Sequence, residues 1–277
     1  FQSLAAVSTL SLLTVCSANA AMVAHFDFEE GTGTSTSSSV AGPPAGTLNT
    51  GSSWAPGIAP NSTASVLVDG ASAGVNVGAT TIWNNLAGFS VSTWIKPTVL
   101  PGAGTDADTF FWLGTTAASG NARFVMQLLD GGDIRVGGRR LGANGFTTVS
   151  TNNGTTNGTV NDPITVGQTY HVAATADYST GLVTVYVNGA QVASANLSSG
   201  WTTGNSENNP EGYIVRFGAN GPGTGERFNG NIDNTRVFNT VLTPSEVAAL
   251  AVPEPTLGIL AGVGSLLWVF GLRRRTI

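Results

Sequence analysis

Short runs in which apolar and polar residues alternate recur through most of the chain, and this period of two predicts strands rather than helices. The first runs are VAHFDF (Val23–Phe28), SVLVD (Ser65–Asp69) and GVNV (Gly74–Val77). FSVSTWIKP (Phe89–Pro97) places Phe89, Val91, Thr93 and Ile95 on one face and Ser90, Ser92 and Trp94 on the other. TFFWLG, RFVMQLLD and DIRVGG follow, then YHVAATAD (Tyr170–Asp177), LVTVYVNG (Leu182–Gly189), YIVRFG and IDNTRVFN. Asp69-Gly70, Asp130-Gly131, Asn188-Gly189 and Asn229-Gly230 mark turns. The stretch Thr147–Asn161, TTVSTNNGTTNGTVN, is low in complexity and reads as a surface loop. Only LTPSEVAALA is helical in character: Thr243 is placed to cap, Pro244 opens the first turn, and Glu246 follows three after the cap. Many short antiparallel strands with one short helix predict an all-β, two-sheet antiparallel sandwich.

The two ends break this pattern. LAAVSTLSLLTVCSANA is apolar and closes on Ala18-Asn19-Ala20, a small-x-small cleavage site, so residues 1–20 read as a signal peptide whose true start is expected upstream of Phe1. Cys16, the only cysteine, falls inside it. LTVC is a poor acylation box because Val15 is bulky, and a plain signal peptide is the preferred reading. The remaining domain, residues 21–251, is then expected to fold without a disulfide. At the other end, Thr256–Leu272 contains no charged residue, and as a helix it would span about 25 Å at ~1.5 Å per residue. A transmembrane helix over 256–272 is expected; the competing reading, a core helix, would carry a polar face. Arg273, Arg274 and Arg275 follow, which puts the tail on the cytoplasmic side and the body outside.

Pro253-Glu254-Pro255, the apolar span and the arginine cluster, in that order, resemble the PEP-CTERM sorting signal of Gram-negative bacteria, over residues 252–277. The resemblance implies two processing partners, signal peptidase and an exosortase. It also implies transient anchoring in the inner membrane, then delivery to the cell surface or extracellular matrix of an exopolysaccharide-producing cell.

Composition narrows the partners. Without residues 1–20 and 256–277, eight basic residues stand against 16 acidic ones, a net of about −8. That disfavours nucleic acid and anionic membrane surfaces. Lys96 is the only lysine among 37 glycines and many Ser, Thr and Asn residues. The regular alternation of valines and aromatics argues against disorder.

Five stretches, in order, resemble the LamG-like jelly roll of the concanavalin A-like lectin/glucanase superfamily: HFDFEEGTG, SVLVDGASAGVNV, FSVSTWIKP, YHVAATADYSTGLVTVYVNGAQV and FNGNIDNTRVFNTVLTPSEVAAL. The resemblance runs from Val23 to Leu250. It implies a jelly-roll sandwich that binds glycans or proteins, without catalysis. The expected ligand is an extracellular polysaccharide or a surface protein. The alternatives are a structural or adhesive surface protein with no discrete ligand site, and a glycan-cleaving enzyme.

Candidate sites follow from residue chemistry. Asp27, Glu29, Glu30 and Asp233 offer the hard oxygens that one structural calcium ion takes, and the first and last strands of such jelly rolls lie close together. The family's D-x-S-G turn is replaced here by TSTSSSVAG, which lacks the acid. Asp233 bonding backbone at the sandwich rim is the competing reading. Among the tryptophans, Trp201 (in SSGWTTGN) and Trp83 (in TTIWNN) lie among loop residues and are the candidates for stacking on sugar rings, against simple loop packing. Trp94 and Trp112 are expected in the core. His25 and His171 read as packing or hydrogen-bonding residues. GANGPGTGE lacks the Lys-Ser/Thr of a phosphate loop. Neither E-x-D-x-x-E nor G-x-S-x-G occurs, so no catalytic residues are assigned.

Overall fold

The structure, a computed structural model, describes residues 21–71, 74–102, 107–115, 122–138, 147–151, 164–196, 209–221 and 226–252. Residues 1–20, expected to be a signal peptide, the expected sorting-signal residues Pro253, Glu254, Pro255, Arg273, Arg274 and Arg275, and Trp201 lie outside them. Among the described residues, no helix is long and apolar enough to cross a membrane.

The strands are β1 (Met22–Phe26), β2 (Ser35–Thr36), β3 (Gly46–Leu48), β4 (Ser52–Pro56), β5 (Ala64–Asp69), β6 (Val75–Thr80), β7 (Gly88–Pro97) and β8 (Asp108–Gly114). They continue with β9 (Ala122–Leu128), β10 (Ile134–Gly138), β11 (Thr147–Ser150), β12 (Tyr170–Asp177), β13 (Leu182–Val187), β14 (Ala190–Asn196), β15 (Tyr213–Phe217) and β16 (Asn229–Phe238). One helix, α1 (Pro244–Leu250), follows. The first sheet runs β14-β13-β12-β7-β16-β5-β4, with β1 also on β16; the second runs β11-β10-β9-β8-β15-β6-β3-β2. This is the expected all-β, two-sheet antiparallel sandwich.

Alternation decides what lies between the sheets. Phe89, Val91 and Ile95 of β7 point into the core, as do Val75 and Val77 of β6 and Phe124, Met126 and Leu128 of β9. Aromatic edges join the sheets: Phe217 meets Phe26 at 5.2 Å and Phe28 at 5.3 Å, and Phe89 meets Phe124 at 5.1 Å. Gly74, with φ +62°, lets the chain enter β6 where any Cβ would stand 1.9 Å from the Phe217 carbonyl oxygen.

Helix α1 forms as its sequence predicts. The Thr243 hydroxyl accepts from the Glu246 amide, and the Glu246 carboxylate accepts from the Thr243 amide, a closed capping box. Its apolar side lies on the outer face of the first sheet, where Val247 and Leu242 join Ala173, Tyr186 and Phe238.

Two expectations change. Thr147–Ser150 is not loop but β11, paired with β10 from Arg135↔Ser150 to Gly138↔Thr147. Its two threonines suit a pleated edge, and a neighbouring strand supplies the missing bonds. The short strands β2, β3 and β4 carry too few alternating positions to signal themselves.

Candidate functional site

Strand β16 creates the site by changing neighbours midway. Its first half pairs with β5, from Asn229↔Asp69 to Ile232↔Val66; its second half pairs with β1, from Thr235↔Phe26 to Phe238↔Met22. Asp233 and Asn234 occupy the changeover, with Asn234 at φ +45° and the register against β7 shifted there. The loop between β4 and β5 folds into the gap.

Carboxylates hold that loop. Asp233 Oδ2 accepts from the amides of Ile58 and Ala59, both at 2.9 Å. Glu29 accepts from the Ser62 hydroxyl at 2.5 Å and from the Thr63 amide at 3.0 Å, and also takes the Thr63 hydroxyl. Burial pushes the Asp233 carboxyl above its ordinary pKa, against the pull of those amides, and the nearby Glu29 charge adds to the rise. For Glu29, burial acts upward, but the bonds from Ser62 and Thr63 outweigh it and leave the pKa below the ordinary value. Glu30 takes the Ser37 amide at 2.7 Å, away from this loop.

The rim-bonding reading of Asp233 is thus what its Oδ2 does. Its Oδ1 is buried with no hydrogen-bond partner. Among the described residues, no three His, Cys, Asp or Glu side chains gather closely enough to enclose a metal ion.

Beside the loop lies a cleft of about 670 Å³. Trp94 forms part of its lining with Arg236, Asn234, Asp27, Glu29, Asn61 and Ser62, and the end of α1 closes it with Ala249 and Leu250. Trp94 stands opposite Asp233 on one side and His171 on the other, with its ring edge-on to His171 at 5.3 Å. It is half-buried, which corrects the core assignment. The face opposite Phe89, Val91 and Ile95 is the sheet's exterior, and α1 only partly covers it.

The histidines support this surface. A proton on His25 Nε2 donates to Asn234 Oδ1 at 2.8 Å, while the Ser39 hydroxyl donates to Nδ1 at 3.0 Å. Burial, and then Arg236, depress its pKa despite the Asn234 bond. His171 is fully buried with Nε2 2.7 Å from the Ser92 hydroxyl. Burial, and secondarily Arg236, lower its pKa to about 4, so the ring is neutral near pH 7. Ser92 is itself only 2% exposed, so this Ser-His pair is out of reach of a substrate. The pair packs the sheet, as a lone buried histidine does.

The tryptophans redistribute. Trp83 is 1% exposed and edge-on to Phe89 at 6.2 Å, which overturns its assignment as a stacking residue. Its polar neighbours form a turn that directs the indole inward over the end of the core. Trp112 is fully buried as expected, but with Val125 and Ile214 in a separate cluster rather than between the sheets. Trp54 is half-buried and donates from Nε1 to the Gly33 carbonyl at 2.8 Å.

Solved structures repeat this sandwich. Domain 4 of AbnA, a GH43 extracellular arabinanase from Geobacillus stearothermophilus, solved in complex with arabinotriose, is 24% identical with a TM-score of 0.55, over 84% of this chain and 99% of that one. The binding domain of botulinum neurotoxin serotype G is 13% identical, TM-score 0.60, over 83% of this chain and 50% of that one. The binding domain of Paraclostridial Mosquitocidal Protein 1 is 14% identical, TM-score 0.60, over 83% and 51%. The chain therefore spans about half the length of these two toxin structures. No curated protein matches it. Residues 69–248 match the Laminin_G_3 family, and with the sandwich and strand order above, the chain belongs to this family of the concanavalin A-like lectin/glucanases superfamily.

Proposed function

We propose that the domain is an exported, non-catalytic glycan-binding module, and that the cleft beside Trp94 receives the sugar. The observation that carries this reading is the half-buried indole in a cleft that it shares with amides, a hydroxyl, carboxylates and a guanidinium, beside the apolar end of α1. An aromatic face matches the C–H face of a sugar ring, and the polar groups around it orient hydroxyls. The buried state of the Ser92–His171 pair supports binding without cleavage. The arabinotriose bound to the arabinanase domain makes arabino-oligosaccharides reasonable first ligands to test. Trp201 remains a second stacking candidate from its sequence setting.

The ends support an address at the cell exterior. Signal peptidase would act after Ala20, and an exosortase would remove the tail that begins at Pro253. Mass spectrometry of surface-exposed protein is expected to find no peptide from Leu257 onward; an intact tail on extracellular protein refutes the processing.

A structural calcium ion would draw on Asp233 Oδ1, which is buried without a hydrogen-bond partner, and would need backbone or hydroxyl oxygens besides, because Asp27, Glu29 and Asp233 do not close around one point. Chelation then lowers the melting temperature. An unchanged melting temperature leaves the carboxylates as loop clamps alone.

Titration calorimetry with arabino-oligosaccharides and with polysaccharide from the producing cell tests the binding reading. Saturable binding that Trp94→Ala weakens supports it, and binding indifferent to Trp94 refutes it.

A further inference from the structure

The outer face of the second sheet carries a polar row that the reading above does not use. Pairing aligns Ser35, Thr47, Asn76, Arg216 and Trp112 directly across β2, β3, β6, β15 and β8. Their strand neighbours point into the core: Val75 and Val77 flank Asn76, Val215 and Phe217 flank Arg216, and Phe111 and Leu113 flank Trp112. By alternation the row itself faces outward. Exposure falls along it. Ser35 and Thr47 are exposed, Asn76 and Arg216 are half-buried, and Trp112 is fully buried.

Hydrogen bonding stops at the middle of this row. Arg216 Nε, Asn76 Oδ1 and Trp112 Nε1 are each buried with no hydrogen-bond partner. Among the described residues, no carboxylate faces the Arg216 guanidinium, and burial alone lowers its pKa. Arg135, on the same sheet, behaves differently. Its Nε donates to Gln127 Oε1 at 2.9 Å, and Gln127 in turn donates to Glu226 at 2.7 Å. A half-buried guanidinium without a counter-charge is costly, and native structures seldom leave adjacent polar groups unpaired. Two of the three unpartnered atoms are N–H donors, so the row lacks acceptors, above all an anionic one.

We propose that this row is a subsite for an acidic glycan, in which the carboxylate of a uronic acid residue docks on the Arg216 guanidinium and the sugar chain extends over Asn76, Thr47 and Ser35. The planar guanidinium fork suits a carboxylate. From β15 to β2 the row covers about 14 Å at ~4.8 Å per strand, the reach of a short oligosaccharide. Its amide and hydroxyls supply bonds for sugar hydroxyls, and buried Trp112 closes the other end. The subsite lies on the opposite sheet from Trp94 and stands independently of the cleft. It also gives an acidic domain a defined place for an acidic ligand, which bulk charge would repel.

The test measures binding of oligogalacturonate, sulfated dextran and neutral dextran to the full chain in detergent at physiological salt. Oligogalacturonate is expected to bind roughly tenfold or more tightly than neutral dextran, with Arg216→Gln erasing the difference. Asn76→Asp gives Arg216 an internal carboxylate. It is expected to abolish acidic-glycan binding while melting at or above the wild-type temperature, which separates lost binding from lost folding. Stronger binding of sulfated dextran with the same Arg216 dependence supports the oxyanion subsite and assigns it to sulfate. Equal affinity for acidic and neutral chains overturns the proposal. So does acidic-glycan binding that survives both Arg216→Gln and Asn76→Asp.

Discussion

Two regions of the molecule, the Glu29–Asp233 loop clamp on the first sheet and the Arg216 row on the second, pair their charged groups differently. On the first, α1 covers Ala173, Tyr186 and Phe238, and the charged groups beside it have local partners: Asp233 with Ile58 and Ala59, Glu29 with Ser62 and Thr63. On the second, no described helix lies over the strands, and Arg216 stands in mid-sheet with its Nε unpartnered. A covered face builds its cleft from internal bonds. The Arg216 row instead leaves two N–H donors without acceptors. The same strand alternation produced both, so pairing, not pattern, distinguishes them.

The largest expected effect removes what both faces share. Trp83→Ala should destabilise the fold by about 3–5 kcal/mol, as a fully buried aromatic deletion does, and chemical denaturation measures it. A loss under about 1 kcal/mol would mean that the indole is not a core element. Asp233→Ala cuts nearer to one face. It strands two loop amides and should cost about 1–3 kcal/mol, whereas Asp233→Asn keeps an acceptor oxygen and should retain most of the stability. Equal losses in both would show that the charge, not the acceptor, holds the loop. Trp94→Ala should weaken binding in the cleft by about 1–3 kcal/mol, the scale of an aromatic anchor, with a smaller change in melting temperature.

The pH dependence gives the sharpest contrast, because the two regions should titrate in opposite senses. His171, on the first sheet, has its pKa lowered from 6.5 to about 4 by burial and then Arg236. Its contribution to stability is full above pH 6.5 and is lost as the pH falls toward 4. Asp108, at the start of β8 on the second sheet, is raised from 3.8 to about 6 by burial and then Glu226. Its contribution is full below 3.8 and is lost as the pH rises through 6. Melting temperature against pH should show the two slopes separately: His171→Gln removes the acid-side loss, and Asp108→Asn removes the decline toward pH 6. Slopes unchanged in both variants would contradict these assignments.

Much of the fold is legible locally. The alternation of β7 and β12, the Asn188-Gly189 turn and the Thr243–Glu246 capping box all sit where residues a few positions apart put them. The candidate sites were less so. Trp94 carries the strand signal of a core residue, yet it lines a cleft because α1, more than 140 positions away, leaves that part of the sheet open. Trp83 carries the signal of an exposed loop, yet its turn folds inward. Arg216 gives no signal at all; only the register that sets Asn76 and Trp112 beside it reveals a guanidinium without a partner.

The sequence by itself determined which residues alternate, where the chain turns and how its one described helix begins, because these depend on neighbours within about four positions. Tertiary structure alone decided where α1 lies on the first sheet, which carboxylates are occupied and which guanidinium nitrogen is not. Those outcomes join residues far apart in the chain, as His25 and Asn234 are at a separation of 209. Such contacts arise from strand register and packing between sheets, which no local pattern contains.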